Sequence, residues 1–251
     1  MPHRLEVLKS SSAHLRSIVE PLDGDEIVAP SYASEWTIAD VLSHLGSSAV
    51  IMDARLDAAL AGTQLPDDFA PPVWDEWNAK SPAAKVADGL AADRAYVERL
   101  DAVAADERAA FYVTLGPMHL DFDQLVGLRL NEHALHTWDI EVMLDPSVPV
   151  LADATALIVD NIAMIVGFTA KPVGAERVVH VRTTEPTRDF ALTVGTERVS
   201  LEPGTGDREP DLELPAEAFI RLVYGRLDPD HTPPVRGSAD LDELRRMFPG
   251  V

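Results

Sequence analysis

The spacing of apolar residues changes once along this chain, and that change limits the possible folds most. Up to Phe168 apolar residues recur every three or four positions, as they do on one face of a helix. After Pro172 and Gly174 they alternate with polar residues, as they do in half-buried strands. The sequence therefore predicts a helical bundle followed by a small α+β domain.

Local start and stop signals divide the two parts into elements. Thr37 and Asp40 form a capping-box pattern, with Trp36 before it in the position of a hydrophobic staple, and Ser81-Pro82 is a helix cap followed by proline in the first turn. We predict helices at about 3–20, 37–61, 81–104, 120–144 and 152–168, an irregular loop at 63–80, a connection at 105–117, strands at 178–182, 190–194, 199–201, 211–214 and 235–237, and helices from 215 to 225 and from 238 to 248. The two domains are expected at 1–149 and 150–251.

The charge of the chain excludes several classes of partner. It has 42 Asp and Glu residues against 21 Lys and Arg, a net charge of −21, so nucleic acid and anionic membrane surfaces are not expected partners. No cationic segment followed by an apolar run opens the chain, and no stretch reaches the roughly 20 apolar residues of a membrane span. A cytoplasmic protein is expected, and the choice between monomer and homodimer stays open.

The chain contains no cysteine. It therefore has no disulfide framework, no thiolate metal site and no cysteine nucleophile. Any thiol chemistry needs a thiol that is supplied as a cosubstrate. Phosphate-cradling glycine loops, serine nucleophile elbows and Rossmann fingerprints are also missing from the sequence.

Candidate metal ligands lie in the helix predicted at 120–144. Glu132 and His136 are four residues apart, so they project from one helix face and can hold one small ion, although such pairs are also common as plain surface pairing. His44, on the helix predicted at 37–61, is a third candidate. Two imidazoles and one carboxylate suit zinc or another divalent first-row metal, and three protein ligands leave a coordination position open for chemistry.

Two neighbours of these ligands have competing interpretations. His133 competes with His136, but its side chain should point a quarter turn or more away from the face shared by Glu132 and His136. Asp139, three residues after His136, is either an acceptor that orients the imidazole or a solvated carboxylate.

Several motifs resemble those of the mycothiol-dependent maleylpyruvate isomerase family, over nearly the full length of the chain. The resemblance implies a DinB-like, up-down four-helix bundle and a C-terminal domain similar to sterol carrier proteins. It also implies a divalent metal, usually zinc, held by His44, Glu132 and His136. The motifs that carry the resemblance are Trp36–Leu45, Glu132–Asp139, and Leu212–Pro215 leading to Tyr224–Arg226.

The resemblance further implies that mycothiol is the low-molecular-weight thiol cosubstrate. A metal-bound thiol loses its proton near neutral pH, and the thiolate can add to an electrophilic, carboxylated small molecule. Addition to an activated alkene, rotation and expulsion would be isomerisation, whereas keeping the adduct would be S-transfer. The catalytic candidates are Asp139 and Arg226, with Arg221 as the alternative carboxylate-binding arginine.

Two other functions stay open at this point. One is a metal-dependent hydrolase at the same three residues. The other is a non-catalytic small-molecule or lipid-binding protein, in which a structural zinc would be expected to have a fourth protein ligand.

Overall fold

The computed structural model describes residues 3–33, 35–116 and 118–250. The chain divides into two compact units, Met1–Val148 and Pro149–Val251. The elements of the first unit are α1 (Arg4–Val19), α2 (Ile38–Leu60), α3 (Ala70–Asn78), α4 (Pro82–Ala102), α5 (Ala105–Ala110), β1 (Val113–Leu115), β2 (Met118–Leu120) and α6 (Phe122–Leu144).

The four long helices of the first unit form a bundle. Helix α1 packs against α4 and α6, and α2 packs against the same two helices. The predicted capping box starts α2, because the Thr37 side chain accepts from Asp40 N and the Asp40 carboxylate accepts from Thr37 N. Buried residues from all four helices form one apolar cluster: Leu15, Val19, Ile38, Val41, Leu42, Leu45, Leu90 and Ile140.

The direction of the helices differs in one detail from the predicted up-down bundle. Helices α2 and α4 run parallel, since Asp40 near the start of α2 pairs with Lys85 near the start of α4 at 2.7 Å. Helices α1 and α6 also run parallel, with Arg4 paired to Asp123 where both begin. The physical reason is the connection at 61–81, which is long enough to return along the roughly 35 Å of α2.

The prediction of an irregular loop at 63–80 is wrong, because α3 lies within it. Pro71 and Pro72 fall in the first turn of α3, where backbone N–H groups make no hydrogen bonds within the helix, so the missing N–H of proline costs nothing. Trp77 is buried, and its carbonyl oxygen accepts a hydrogen bond from Ser43 Oγ of α2 at 3.1 Å. Tertiary packing on α2 therefore stabilises a helix whose proline content reads locally as a loop.

The connection predicted at 105–117 contains α5 and the first strand of a short hairpin. Strands β1 and β2 pair antiparallel, with Val113 opposite Leu120. Each strand has three residues, too few for an alternating pattern to be recognised. Pro117 lies outside the described residues.

The second unit is built around a five-stranded sheet of order β5-β4-β3-β6-β7, in which β3 and β6 run parallel and the other pairs antiparallel. The predicted hairpin at Gly195-Thr196 joins β4 to β5. The elements are α7 (Ala152–Ile158), α8 (Ile162–Thr169), β3 (Arg177–Thr184), β4 (Arg188–Val194), β5 (Val199–Pro203), β6 (Leu212–Pro215), α9 (Ala216–Val223), β7 (Arg236–Gly237) and α10 (Leu241–Met247).

The single helix predicted at 152–168 is interrupted. A 3₁₀ turn at Val159–Asn161 separates α7 from α8, and Asn161 Nδ2 donates to Leu157 O at 3.0 Å. Side chains such as asparagine offer the backbone this alternative to a regular helix. By length and composition alone, Ala152–Thr169 is apolar enough to cross a membrane, although the sequence analysis expected no such stretch. Core helices of soluble proteins can have the same length and composition.

The predicted fold class is confirmed: a helical N-terminal bundle is followed by a small α+β unit.

Candidate metal centre

The three predicted metal ligands come together within the first unit. Helix α2 carries His44, and α6 carries Glu132 and His136 one turn apart on the face that meets α2. One possible ligand atom from each of the three residues lies within 4.8 Å of the other two. Two separate helices therefore assemble the ligand set from residues 88 positions apart in sequence.

The distances within this group suit a small divalent cation. Glu132 Oε2 lies 3.1 Å from His44 Nε2 and 3.7 Å from His136 Nε2. Ligands of a tetrahedral zinc, bound at about 2.0–2.1 Å, are separated by roughly 3.3 Å. The donor set fits zinc or another first-row metal.

Asp139 contacts His136 directly. Its Oδ2 lies 2.8 Å from His136 Nδ1, while the Nε2 of the same ring faces Glu132. Ligand imidazoles in metal sites commonly donate their second ring nitrogen to a carboxylate, which fixes the tautomer and the orientation of the ring. Of the two interpretations of Asp139, the structure favours the orienting acceptor, and its side chain is fully buried.

The electrostatic environment keeps Glu132 ionised. Burial acts to raise the pKa of Glu132, but the hydrogen bond with His44 and the nearby imidazole of His136 outweigh it, and the pKa falls to about 2. An ionised carboxylate beside two imidazoles is the protonation state that a cation requires of its ligands.

Trp36 forms a wall of the group, a role that the sequence analysis missed. Its indole ring lies 5.1 Å from the His44 ring and 5.9 Å from the His136 ring, measured between centroids. The preceding loop is attached to α6, because Tyr32 N donates to Asp139 O at 2.9 Å. Its place just before the α2 cap was the available signal, but the pattern indicated only a helix staple.

His133 is not part of the ligand group. It is fully buried on a neighbouring face of α6, with Nδ1 hydrogen-bonded to Ser11 Oγ at 2.9 Å and Nε2 located 3.3 Å from Asp93 Oδ2. The predicted divergence from His136 is observed. Sequence analysis missed the partners of His133, since Ser11 and Asp93 lie on α1 and α4.

The two candidate arginines belong to the second unit and differ in their surroundings. Arg221 is buried and pairs with Glu217 through two hydrogen bonds, of 2.7 and 3.0 Å. It also donates to His231 O at 2.8 Å, so it holds the loop after α9 in place. Arg226 is half-buried, and its Nη1 donates to Tyr224 O at 3.0 Å. The structure thus gives Arg221 a structural role, and Arg226 remains the substrate-binding candidate.

Comparisons with solved structures show the fold. A crystal structure of the mycothiol-dependent maleylpyruvate isomerase matches with a TM-score of 0.65 and 14% identity, covering 93% of this chain and 95% of that one. A histidine-to-alanine mutant of that isomerase matches with a TM-score of 0.65 and 13% identity, covering 90% of each chain. None of the curated proteins compared matches this chain significantly.

A comparison with protein families identifies the first unit. The sequence profile of the mycothiol maleylpyruvate isomerase N-terminal domain matches residues 8–141, more than half of the 251 residues. That range includes most of the bundle and all three residues of the candidate metal centre. The chain therefore belongs to the family of the mycothiol maleylpyruvate isomerase N-terminal domain.

Proposed function

We propose that this protein is a divalent-metal-dependent enzyme that uses a low-molecular-weight thiol, mycothiol, to isomerise an electrophilic small molecule or to transfer the thiol to it. The observation that carries the proposal is the convergence of His44, Glu132 and His136 in a member of this family. Among the described residues the group has three protein ligands, the number found in catalytic rather than structural zinc sites.

The thiol must come from outside, because the chain has no cysteine. A divalent cation held by the three residues would lower the pKa of a bound thiol and so supply a thiolate near neutral pH. A thiol cosubstrate has to stay reduced, so we place the reaction in the cytoplasm.

The residues around the ligands have distinct roles in this proposal. Asp139 holds the His136 ring so that Nε2 points toward the centre. Trp36 covers one side of both imidazoles while a third of its own surface stays exposed, so it limits water and presents a flat apolar face to a planar substrate.

We propose Arg226 as the residue that binds a substrate carboxylate. A chain with a net charge of −21 repels anions, so a local arginine is needed to hold one. In the proposed reaction the thiolate sulfur adds to one alkene carbon and the π electrons move to the activating carbonyl group. Rotation about the resulting single bond and expulsion of the thiolate give the isomer, and protonation of the adduct gives the transfer product.

The experiment that tests the proposal starts with metal content. Protein purified without chelator or metal-affinity tag should contain close to one equivalent of zinc or a related metal by elemental analysis. His44→Ala and His136→Ala variants should lose it, whereas His119→Ala, which changes an exposed histidine of β2, should retain it. A parent protein that takes up no metal, even after zinc is added, would contradict the proposal.

The second part of the experiment identifies the reaction. The metal-loaded protein is incubated with a cis-alkenoic keto acid, with and without mycothiol, and products are separated by chromatography. Turnover that requires mycothiol supports the proposal, with isomer and adduct separating the two reactions. Turnover of ester or amide substrates without any thiol would instead establish a hydrolase at the same residues. Arg226→Ala should raise the KM for carboxylated substrates.

A further inference from the structure

A buried ion pair lies next to the candidate metal centre, and the proposed chemistry does not use it. Arg129 Nη2 of α6 donates to Asp93 Oδ1 of α4 at 2.7 Å, and the two side chains are 1% and 2% exposed. Asp93 Oδ2 accepts from Ser12 of α1 at 2.5 Å and lies 3.3 Å from His133 Nε2. The pair therefore connects three of the four long helices.

The same guanidinium reaches the fourth helix. Arg129 Nη2 also donates to the carbonyl oxygen of Leu45 in α2 at 3.1 Å. Leu45 directly follows His44, and Arg129 precedes Glu132 by one helical turn. One side chain thus joins the backbone beside the first candidate ligand to the turn of α6 that carries the other two.

Helix α2 is constrained from its other side at the same level. A Cβ atom on Gly89 of α4 would lie 2.5 Å from Leu42 O, and one on Gly46 would lie 2.8 Å from the Gly89 Cα. Two glycines therefore allow the backbones of α2 and α4 to approach closely. With α4 on one side and Arg129 on the other, the position of His44 relative to α6 has little freedom.

Stability alone does not account for this arrangement. Buried ion pairs are often no more stabilising than apolar residues of the same volume. Within the described part of the chain, Arg129 Nε and Nη1 have no hydrogen-bond partner although they are buried, which is destabilising. A pair that is costly to bury but has specific partners on every long helix is better explained by the geometry that it imposes.

We propose that Arg129, held by Asp93, is a positioning residue that fixes the separation of α2 and α6 at the candidate metal centre. The proposal rests on the proposed function in so far as that centre binds a metal. It assigns Arg129 no contact with the metal or the substrate.

The test removes the ion pair as a unit, so that no buried charge is left alone. The variant is Arg129→Met with Asp93→Asn, and the matched control is Arg99→Met with Asp57→Asn. The control pair likewise joins two long helices of the bundle, here α4 and α2, at 2.9 Å, but on the surface. Zinc affinity is measured by competition with a chromophoric chelator, and folding is checked by circular dichroism and thermal unfolding. We expect zinc affinity to fall about 10- to 100-fold in the buried-pair variant and to stay at the parental value in the control.

A second readout does not depend on metal. Because the chain has no cysteine, Val50→Cys in α2 and Met143→Cys in α6 place spin labels at two exposed positions. Double electron–electron resonance spectroscopy then measures the distance between the two spin labels in metal-free protein. The parental background should show one narrow distribution, and the buried-pair variant a broader or displaced one. The surface-pair control should match the parent.

The outcomes separate this proposal from the proposed function. A folded buried-pair variant with parental zinc affinity and an unchanged label distance would overturn the positioning role. If the parent binds no metal, the proposed function fails, and the label distances alone decide the positioning role. If the buried-pair variant does not fold, Arg129→Lys takes its place, since lysine keeps the charge beside Asp93 but its shorter side chain ends short of the position of Nη2, the atom that makes both contacts. Parental affinity and label distances in that variant would also overturn the proposal.

Discussion

His133 and His136 lie three residues apart on α6 but meet opposite environments. His133 is 0% exposed and lies among Ser11, Asp93 and Thr137. His136 faces Glu132 and His44, whose side chains are 37% and 33% exposed. The same residue type therefore forms part of an interior network on one face of the helix and of an accessible ligand group on the neighbouring face.

The difference between the two clusters lies in the partners of their carboxylates. Asp93 is held mainly by a guanidinium and a hydroxyl group, neither of which is a metal ligand, and the one imidazole near it is that of His133, 3.3 Å away. Glu132 is held by two imidazoles, which are metal ligands themselves. We call His44, Glu132 and His136 the outer cluster, and Asp93, Arg129 and His133 the inner cluster. A cation can replace the contacts within the outer cluster without leaving a buried charge unpaired. In the inner cluster a cation bound to Asp93 would leave the buried Arg129 guanidinium without its counter-ion. The following predictions test this distinction.

The largest effect is expected from Asp93→Leu. This change leaves Arg129 buried without its counter-ion, so the free energy of unfolding should fall by about 3–5 kcal/mol. Glu132→Gln should lower the free energy of unfolding by less, about 1 kcal/mol, because this side chain is 37% exposed and the amide oxygen can still accept the hydrogen bond from His44. Urea unfolding followed by circular dichroism measures both. Equal losses in the two variants would show that the clusters do not differ in this way.

The second-largest effect is expected from acid, which should reduce the stability that the inner cluster contributes. Although burial opposes it, the charges and hydrogen bonds of His133, Arg129 and Ser12 lower the pKa of Asp93 well below its usual range. A lowered folded-state pKa gives stability that is present above the unfolded pKa of about 3.9 and is lost as the pH falls below it. Asp93 should contribute a slope of about 1.4 kcal/mol per pH unit there. Asp93→Asn should remove this share of the acid dependence, and an unchanged slope would contradict the assignment.

Asp139→Asn should affect the outer cluster through metal affinity. The amide keeps the shape of the carboxylate but weakens its hold on His136 Nδ1, and such changes reduce metal affinity about 10- to 100-fold. Ser11→Ala removes a hydrogen bond of His133 and serves as the control from the inner cluster. Chelator competition on both variants is the measurement. Weaker metal binding in Ser11→Ala alone would reverse the roles of the clusters.

The smallest effect is expected in tryptophan fluorescence. Paramagnetic Cu²⁺ or Ni²⁺ bound at the triad would lie close to the Trp36 indole, whose centroid is 5.1 and 5.9 Å from the two ligand rings. Because the chain has four tryptophans, only part of the emission should be quenched. Trp36→Phe should retain the metal but lose most of this quenching. Full quenching in the variant would place the bound ion elsewhere.

Much of the candidate site follows from local spacing. The four residues from Glu132 to His136 and the three from His136 to Asp139 put these side chains within reach of one another on any regular α-helix. His44 required more, because nothing in its own helix indicates which neighbour it meets. The family resemblance supplied that link, and the packing of α2 on α6 brings the atoms to 3.1 Å.

Other parts of the site had no local signal. Arg129 lies between Leu128 and Leu130 in sequence, and its pairing with Asp93 joins residues 36 positions apart. Trp36 was recognised as a staple, but its contact with both imidazoles depends on the loop that Tyr32 attaches to α6. Such contacts depend on the arrangement of several helices together, which no short window of sequence contains.

The sequence by itself determined the helical and strand periods, the α2 cap and the shared face of Glu132 and His136, because these depend on fixed rise and rotation per residue. The tertiary structure alone decided that α4 runs parallel to α2, that Pro71 and Pro72 begin a helix, and that His133 turns inward while His136 faces α2. Those outcomes depend on packing summed over residues far apart in the chain, where many weak contacts together outweigh local preference.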